Sequence, residues 1–554
     1  MDPSVKLSVV IPTCNRREIL AKTLATVIGQ EFPNDEREIV VVVDGSTDGT
    51  VEYLRTVRAP CKFTIIEQPN CGPANARNTG ARASAGELIL FLDDDIFCPP
   101  ALLAKHAALH AGVPEAVVFG PVLVAPDSPS NSASYRVRLW YEKYAKRLAR
   151  EGKPRSKFDV WVTNCSLRRT LFLNFGGYDE TFRWAAEDAD LAIRLWDAGV
   201  PFKFEPSAPV YQFYDKLPAQ VVSVDAPRTA RSELLLCRKH PSYRAHSGLG
   251  SLNTSGMRLA FARQIARSPI SPEPLLRPPF WIAERLRGLP PMRWLAAQLL
   301  RTRVQMRILE AAFDELGSWQ EYIRQFGARL LVLRYHDVGQ PNGGDAVATI
   351  DPDSFERQVN QLASRGYQGI GLSDWLAWCR EGRELNEKAV MVTFDGGYAG
   401  VARYALPILE RHGFRSLVFV AENAVARNGR SARQTSKASP ALMSVDEIRA
   451  WASRGVEFGC YLKPHRAVSV SSRAEFQREV NCARDTLSEI LGEIPRASAC
   501  SDDALPNAHI ECIRAAFEVA FTNVRGPNTI LTDPYQLRRY NIKHAWKGNG
   551  IPLA

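Results

Sequence analysis

Short apolar runs alternate with helix-spaced segments in two separate stretches of the chain. Between Lys6 and about Gln212, "KLSVVIP" and "EIVVVVDG" are β-branched runs stopped by turn residues, and "RREILAKTLATVIGQ" between them has helical spacing. "CKFTIIEQ" and "ELILFLDDD" read as further strands, separated by "GPANARNTGARASAG". From about Val221 to Gln325 helical patterns dominate. From about Ala328 the alternation returns with "RLLVLRYHDV", a helix around "SFERQVNQLASRG", "AVMVTFDGG", a helix around "ALPILERHG", and "SLVFVAE". The pattern predicts an α/β domain with a largely parallel sheet over residues 1–225, a helical connector over 226–327 and a second α/β domain over 328–554. No internal repeat links the two halves.

Length agrees with that division, because 554 residues exceed what one core organises. A hydrophobic content of 45% and a charged content of 23% are ordinary for a globular protein. The formal charge of +10 points to an anionic partner or to a solvated basic surface. Much of it lies in the connector: Arg228 to Arg307 holds fifteen Lys/Arg against three acids. There "PPFWIAERLRGLPPMRWLAAQLLRTRVQMRILEAAF" sets Trp, Leu and Ile at helical spacing with Arg between them. The simpler reading is a connector packed on the catalytic core. The alternative is a peripheral helix pair on anionic lipid, with Trp281 and Trp294 at headgroup depth.

Eleven scattered cysteines, without C-x-x-C pairs or zinc-ligand spacing, favour reduced thiols over a disulfide framework. "MDPSVKLSVVIPTCN" runs almost directly into a strand with no basic and apolar leader, and no apolar run approaches the ~20 residues of a spanning helix. The expectation is a cytoplasmic protein, at the inner face of the membrane if the connector meets lipid.

The chemistry-bearing stretches are acidic. "ELILFLDDDIF" ends a buried run in Asp93, Asp94 and Asp95, three carboxylates that repel one another without a cation. If the strand continues, alternate residues share a face, so Asp93 and Asp95 point into one site. Oxygen ligands at the C-terminal edge of a parallel sheet suit Mg²⁺ or Mn²⁺ carrying a diphosphate; an exposed acidic turn is the bland alternative. In "WAAEDADLAIRLWDAG", Glu187 and Asp188 open an amphipathic helix. They are either partners of the helix dipole or a general base beside an acceptor hydroxyl. Asp44 in "VVVDGSTDGT" sits where a strand becomes a turn, and the glycines of "NCGPANARNTG" allow close approach while Arg77 can meet phosphate.

Taken together, "SVVIPTCNR", "VVVDGSTDGT", "NCGPANARNTG", "FLDDDIF", "NCSLRR…FGGYDE" and "EDADLAIRL" resemble, in order and spacing, the inverting family 2 glycosyltransferases of GT-A fold. The resemblance covers roughly the first 215 residues. It implies a nucleotide-sugar donor, usually a UDP-sugar, a divalent cation (Mn²⁺ or Mg²⁺) and a glycan or lipid-linked glycan acceptor, with no nucleic acid. By that likeness Pro12, Thr13, Asn15 and Arg16 line the nucleotide pocket and Asp44 contacts the base. Gly72, Arg77, Asp93 and Asp94 complete the donor side, and Asp95 holds the metal with Asp93. Asp188 is the catalytic base with Glu187 beside it, while Asn164 and the turn with Gly176, Gly177 and Asp179 shape the acceptor side. Many relatives have a His near "PVYQFYDK"; here the matching position is Gln212, a weaker metal ligand.

From about Ala328 to Arg539, "LLVLRYHDV", "IDPDSFERQVNQLASRGYQGIGLSDWL", "VMVTFDGGYAG" and "GVEFGCYLKPH" resemble the polysaccharide deacetylases, carbohydrate esterase family 4. The likeness implies a distorted (β/α) barrel whose active members hold a metal on one Asp and two His. Asp395 matches the base, but Gly396 stands where the metal-binding Asp should be. Tyr461 replaces the first His of the paired motif, and only His465 is kept. "ASACSDD" does not match the later loop, and His336 in "RYHDV" reads as a structural histidine. The expectation is an inactive deacetylase-like domain beside a working glycosyltransferase. The alternatives are a bifunctional transferase and N-deacetylase, or a non-catalytic glycan-assembly scaffold.

Overall fold

The computed structural model describes residues 5–152, 154, 156–159, 163–254, 264, 271–340, 348–386, 388–421, 441–462, 472–500 and 506–542. The chain forms two compact units: Met1–Tyr243 with Ala260–Ser318, and Arg244–Leu259 with Trp319–Ala554.

In the first unit, β1 (Leu7–Thr13), α1 (Arg17–Ile28), β2 (Arg37–Asp44), α2 (Thr50–Thr56), β3 (Lys62–Gln68), α3 (Pro73–Ala83) and β4 (Leu88–Phe91) follow in strict alternation. After them come β5 (Ile96–Phe97), α4 (Leu102–Gly112), β6 (Val117–Phe119), β7 (Val122–Val124), α5 (Ser132–Glu151) and β8 (Cys165–Arg168). The series ends with α6 (Arg169–Asn174), α7 (Glu187–Asp197), β9 (Phe202–Phe204) and β10 (Val210–Gln212). The main sheet runs β3-β2-β1-β4-β8-β6-β9, and a small sheet runs β5-β10-β7. Strands β3, β2, β1 and β4 are parallel, whereas β8 is antiparallel to β4 and β6. Every residue of β1 and β2 is buried, which explains why they read as continuous apolar runs instead of alternating ones. Val10 lies opposite Val40 on one side and Phe91 on the other. That register brings Thr13, Asp44 and the end of β4 to one edge of the sheet, the edge where open α/β sheets bind ligands.

The acidic run departs from the expected geometry. Strand β4 stops at Phe91, and Asp94 and Asp95 lie in a turn that leads into β5. A turn, not strand alternation, sets where these carboxylates point.

The helices Ala226–Lys239, Arg277–Arg285 and Pro290–Leu316 belong to the first unit. Phe280, Ala283, Ala296 and Leu300 form a small core with Ala133 at the start of α5. Glu284 accepts from the Ser132 backbone N–H at 3.2 Å, and the Arg287 guanidinium donates to the Ser130 carbonyl at 2.8 Å.

In the second unit, β11 (Leu331–Tyr335), β14 (Gln368–Gly369), β15 (Ala389–Gly396), β16 (Ser416–Ala421), β17 (Glu457–Leu462), β18 (Ala497–Cys500), β19 (Val519–Phe521) and β20 (Tyr540–Asn541) make one sheet. Its order is β19-β18-β17-β16-β15-β11-β20, with β14 beside β15, and all pairings are parallel. The short β12 (Asp337–Val338) and β13 (Thr349–Ile350) pair separately. The sheet curls into a half-barrel with an apolar layer on each face.

Candidate active site

A cavity of about 720 Å³ opens at the C-terminal edge of the first unit's sheet. Pro12, Thr13, Arg16, Asp44, Gly72, Arg77, Asp93, Asp94, Asp95, Glu187 and Asp188 all line it. The sequence scatters them over more than 170 positions; the ends of β1, β2 and β4 and the starts of α3 and α7 bring them together.

Two arginines organise the acids. Arg77, on α3, donates to Glu187 Oε1 at 2.6 Å and to Asp93 Oδ1 at 2.5 Å, and its guanidinium lies 5.6 Å from the Tyr178 ring centroid. Arg16 lies 3.3 Å from Asp94 Oδ1 and 3.2 Å from Asp95 Oδ2. The Thr13 hydroxyl donates to Asp94 Oδ2 at 2.8 Å. Arg77 is therefore clamped between carboxylates, where the sequence suggested a phosphate contact.

Asp44 uses both carboxylate oxygens on the neighbouring loop. It accepts from the Gln68 amide at 2.8 Å, the Cys71 backbone N–H at 2.9 Å and the Gly72 backbone N–H at 2.8 Å. Three of a carboxylate's roughly four acceptor positions are thus filled.

The adjacent pair on α7 is split by its surroundings. Ala186, at the helix N-cap, has φ +73°, a left-handed conformation that costs a non-glycine residue roughly 1–3 kcal/mol. Glu187 pairs with Arg77. Asp188 forms no ion pair among the described residues and accepts only the Ala189 backbone N–H, at 2.8 Å. Burial in the cleft, with the charge of Glu187 next, pushes its carboxyl up to about 6.

Asp94 and Asp95 are held up in the same way. Burial raises Asp94 to about 6. Burial, and then the charge of Asp93, raises Asp95 to about 7. The Gln212 amide nitrogen lies 3.3 Å from each Asp95 oxygen, and the Gln212 carbonyl oxygen accepts from the Tyr141 hydroxyl at 2.8 Å. A carboxylate only accepts, so Gln212 turns its NH₂ to Asp95 and spends its carbonyl on Tyr141, away from any metal-ligand role.

The donor set fits a hard divalent cation. Seven carboxylates and five cationic side chains line the cavity, so a diphosphate alone would meet net repulsion. Asp95 and Asp93 offer oxygen ligands, and a cation between them would offset the burial and the Asp93 charge that raise Asp95. Among the described residues no three His, Cys, Asp or Glu converge on one point. A site of one or two carboxylates suits Mg²⁺ or Mn²⁺ that completes its shell with water and phosphate oxygens.

Five expected residues do not line the cavity. Asn15, with φ +54°, braces the neighbouring loop: its side-chain oxygen accepts the Thr47 backbone N–H at 2.7 Å. Asn164 is fully buried. Its side-chain oxygen lies 3.1 Å from His106 Nε2 and its NH₂ donates to the Ala208 carbonyl at 2.9 Å, so it sits in the core behind the cavity wall. Gly176 and Gly177 turn the chain at positive φ, and a Cβ on Gly177 would lie 2.5 Å from Asn78 Oδ1. Asp179 caps Thr181 and pairs with Lys239. The sequence reading missed Tyr141, whose helix shows only amphipathic spacing. It also missed Trp184, half exposed on the cavity wall with the Arg228 guanidinium 4.0 Å from its ring centroid.

In the second unit Asp395 is fully buried at the end of β15. Its Oδ2 accepts from Arg334 Nε and its Oδ1 from Arg539 Nη1, each at 2.6 Å. Arg334 also reaches His336 Nε2 at 3.1 Å, which makes His336 a hydrogen-bonded partner. Arg539 donates further to the Thr522 carbonyl and to Asn523. Burial, with Asp395's charge next, raises the Tyr461 hydroxyl above its ordinary range. At Gly396, φ is +107° and a Cβ would lie 2.5 Å from the Tyr398 ring. His465, and the loop after Cys500, lie outside the described residues. Arg334 stands within "LLVLRYHDV" without a role that the motif assigns, and Arg539 belongs to no quoted motif.

Fold and site define the first unit as an α/β domain of the GT-A sugar-transferase type. Residues 8–175 match the family model of glycosyl transferase family 2, and residues 382–505 match that of polysaccharide deacetylase. The chain thus carries a family 2 glycosyltransferase domain followed by a polysaccharide deacetylase-like domain. It is 34% identical over 222 residues to validoxylamine A glucosyltransferase of Streptomyces hygroscopicus subsp. jinggangensis, covering 35% of this chain and 52% of that one. The chain spans about half the length of the curated relatives it matches first. Among solved structures, the mannosyltransferase of Pyrobaculum calidifontis in complex with GDP-Man and Mn²⁺ aligns with a TM-score of 0.38, 20% identity and coverage of 58% of this chain and 89% of that one. The Streptococcus pyogenes deacetylase PplD, with acetate, aligns with a TM-score of 0.34, 17% identity and coverage of 39% and 92%.

Proposed function

We propose that the chain is an inverting glycosyltransferase that moves a sugar from a nucleotide-sugar, by the family likeness a UDP-sugar, to a hydroxyl of a glycan or lipid-linked glycan. The catalytic domain is placed at 1–225, the connector at 226–327 and the deacetylase-like domain at 328–554. The observation that carries the proposal is Asp188: a cavity carboxylate without an ion-pair partner among the described residues, raised to about 6 beside a Glu187 that Arg77 holds. A base needs this balance, ionised near neutrality and still proton-hungry.

In the proposed reaction the acceptor oxygen attacks the anomeric carbon in line with the departing diphosphate. Asp188 takes the hydroxyl proton as the C–O bond forms, and the bond to the diphosphate oxygen breaks with its electron pair. The products are an inverted glycoside and a nucleoside diphosphate. A divalent cation held by Asp95 with Asp93 would neutralise charge on the diphosphate. Pro12, Thr13, Arg16, Asp44 and Gly72 form the nucleotide side; Arg77 holds Asp93 and Glu187 apart from the base.

The second unit, in this reading, does not deacetylate. Asp395 is spent on two guanidinium groups, and Gly396 and Tyr461 offer no replacement for the missing carboxylate and imidazole. The test is a screen of nucleotide-sugars for transfer or hydrolysis with Mn²⁺ or Mg²⁺. The proposal expects one donor to be consumed with release of a nucleoside diphosphate, and consumption of none would reject it.

A further inference from the structure

Among the described residues, Leu275, the helix Arg277–Arg285, the turn after it and the start of the helix Pro290–Leu316 gather six exposed large apolar side chains. Leu275 is 78% exposed, Trp281 62%, Ile282 52%, Leu286 47%, Leu289 58% and Trp294 58%. Large side chains left in water in one short segment mark an interaction surface. The segment is built with two faces: Phe280 and Ala283 turn inward, while Trp281, Ile282, Arg285 and Leu286 share the outer side.

We infer that this hairpin docks the protein on the surface of an anionic lipid bilayer. The inference goes beyond the transferase proposal and does not depend on it. Charge selects the occupant. Between Leu275 and Trp294 the exposed cations are Arg277, Arg285, Arg287 and Arg293. Arg277 pairs with Glu273 at 3.0 Å and Arg287 reaches Glu284 at 3.9 Å, so Arg285 and Arg293 present most of the outward charge. The single acid, Glu284, is half-buried and takes the Ser132 backbone N–H. Arg285 lies 5.6 Å from the Trp281 ring centroid, so aromatic and cation are presented together. Indole, leucine and arginine on one face match the headgroup zone, where indole and guanidinium meet phosphate while aliphatic side chains reach the acyl boundary. A second copy of the chain fits worse, because a two-fold contact would set these arginines against their own images. No described helix is long and apolar enough to cross a membrane, so contact is by lying on the surface. The hairpin is anchored to the start of α5, the helix whose Tyr141 holds Gln212 against Asp95. Bilayer contact thus reaches the same helix that borders the donor site.

The test is vesicle co-sedimentation of the full chain, which requires no turnover. Vesicles of phosphatidylcholine with phosphatidylglycerol are expected to bind the protein at least tenfold more tightly than phosphatidylcholine alone, with binding falling as NaCl is raised. Trp281→Ser with Trp294→Ser, and separately Arg285→Glu with Arg293→Glu, should each lower that binding at least tenfold with an unchanged circular dichroism spectrum. Because all four side chains are exposed, folding should survive either pair. Equal binding to both vesicle types, binding unaffected by both variant pairs, or a wild-type dimer that the Trp pair dissolves without any vesicle binding would each overturn the inference.

Discussion

Replacing Asp395 by Asn separates a spent deacetylase site from a working one. Asp395 is completely buried, and each oxygen lies 2.6 Å from a guanidinium nitrogen. Arg334 and Arg539 are nearly as buried. The amide keeps the shape, removes the negative charge and turns an NH₂ toward one arginine. Breaking a buried ion pair by removing one partner costs about 3–5 kcal/mol, because the remaining charge stays desolvated. A domain's whole stability is only about 5–15 kcal/mol. With a urea dependence of about 2 kcal/mol per molar, the second unit's midpoint should fall by roughly 2 M. Hydrogen exchange of full-length protein should show the loss in peptides over β11 and β15, the strands that carry Arg334 and Asp395. A free catalytic base would tolerate the amide with little loss. Unchanged protection in β11 and β15, or acetate release from wild type that the variant lacks, would refute the ion-triad account.

Three further outcomes follow from the same geometry. Transfer should decline as pH falls through about 6, because protonated Asp188 cannot accept a proton; a rate flat from pH 5 to 8 would contradict the assignment. Asp94 and Asp95, raised to about 6 and about 7 from an ordinary carboxylate's 3.8, bind more protons folded than unfolded, so without metal this unit should lose stability as pH rises from about 4 to 7. Mn²⁺ should then raise its melting temperature at pH 7.5, and Asp95→Asn should raise the metal-free value while removing most of the Mn²⁺ response, both read by thermal denaturation. Gly396→Asp should not restore a metal site, since its Cβ would lie 2.5 Å from the Tyr398 ring at φ +107°; calorimetry should find no Zn²⁺ binding, with a stability loss of about 1–3 kcal/mol.

Strands were the most readable part of the chain. "LSVVIPT" and "REIVVVVD" are buried along their whole length, so composition alone marks them. The acidic cluster was equally visible, but not its shape, because the turn after Phe91 depends on β5 joining a separate small sheet. Glu187 and Asp188 are neighbours of similar chemistry, and only the approach of Arg77, 110 residues earlier, divides them. The burial of Asn164 could not be read, because its partners, His106 and Ala208, come from elsewhere in the chain. At Gly396 and Tyr461 the comparison with the deacetylase motifs alone suggests absent ligands. The arginines that occupy Asp395 could not be read, since Arg539 lies 144 residues away and belongs to no motif.

The central claim is that Asp188 removes the acceptor proton. The most direct measurement compares wild type and Asp188→Asn in a single-turnover transfer assay alongside donor binding by calorimetry. Donor affinity should stay within a few fold of wild type while transfer falls at least 10²-fold. Transfer at the wild-type rate by Asp188→Asn would contradict that claim.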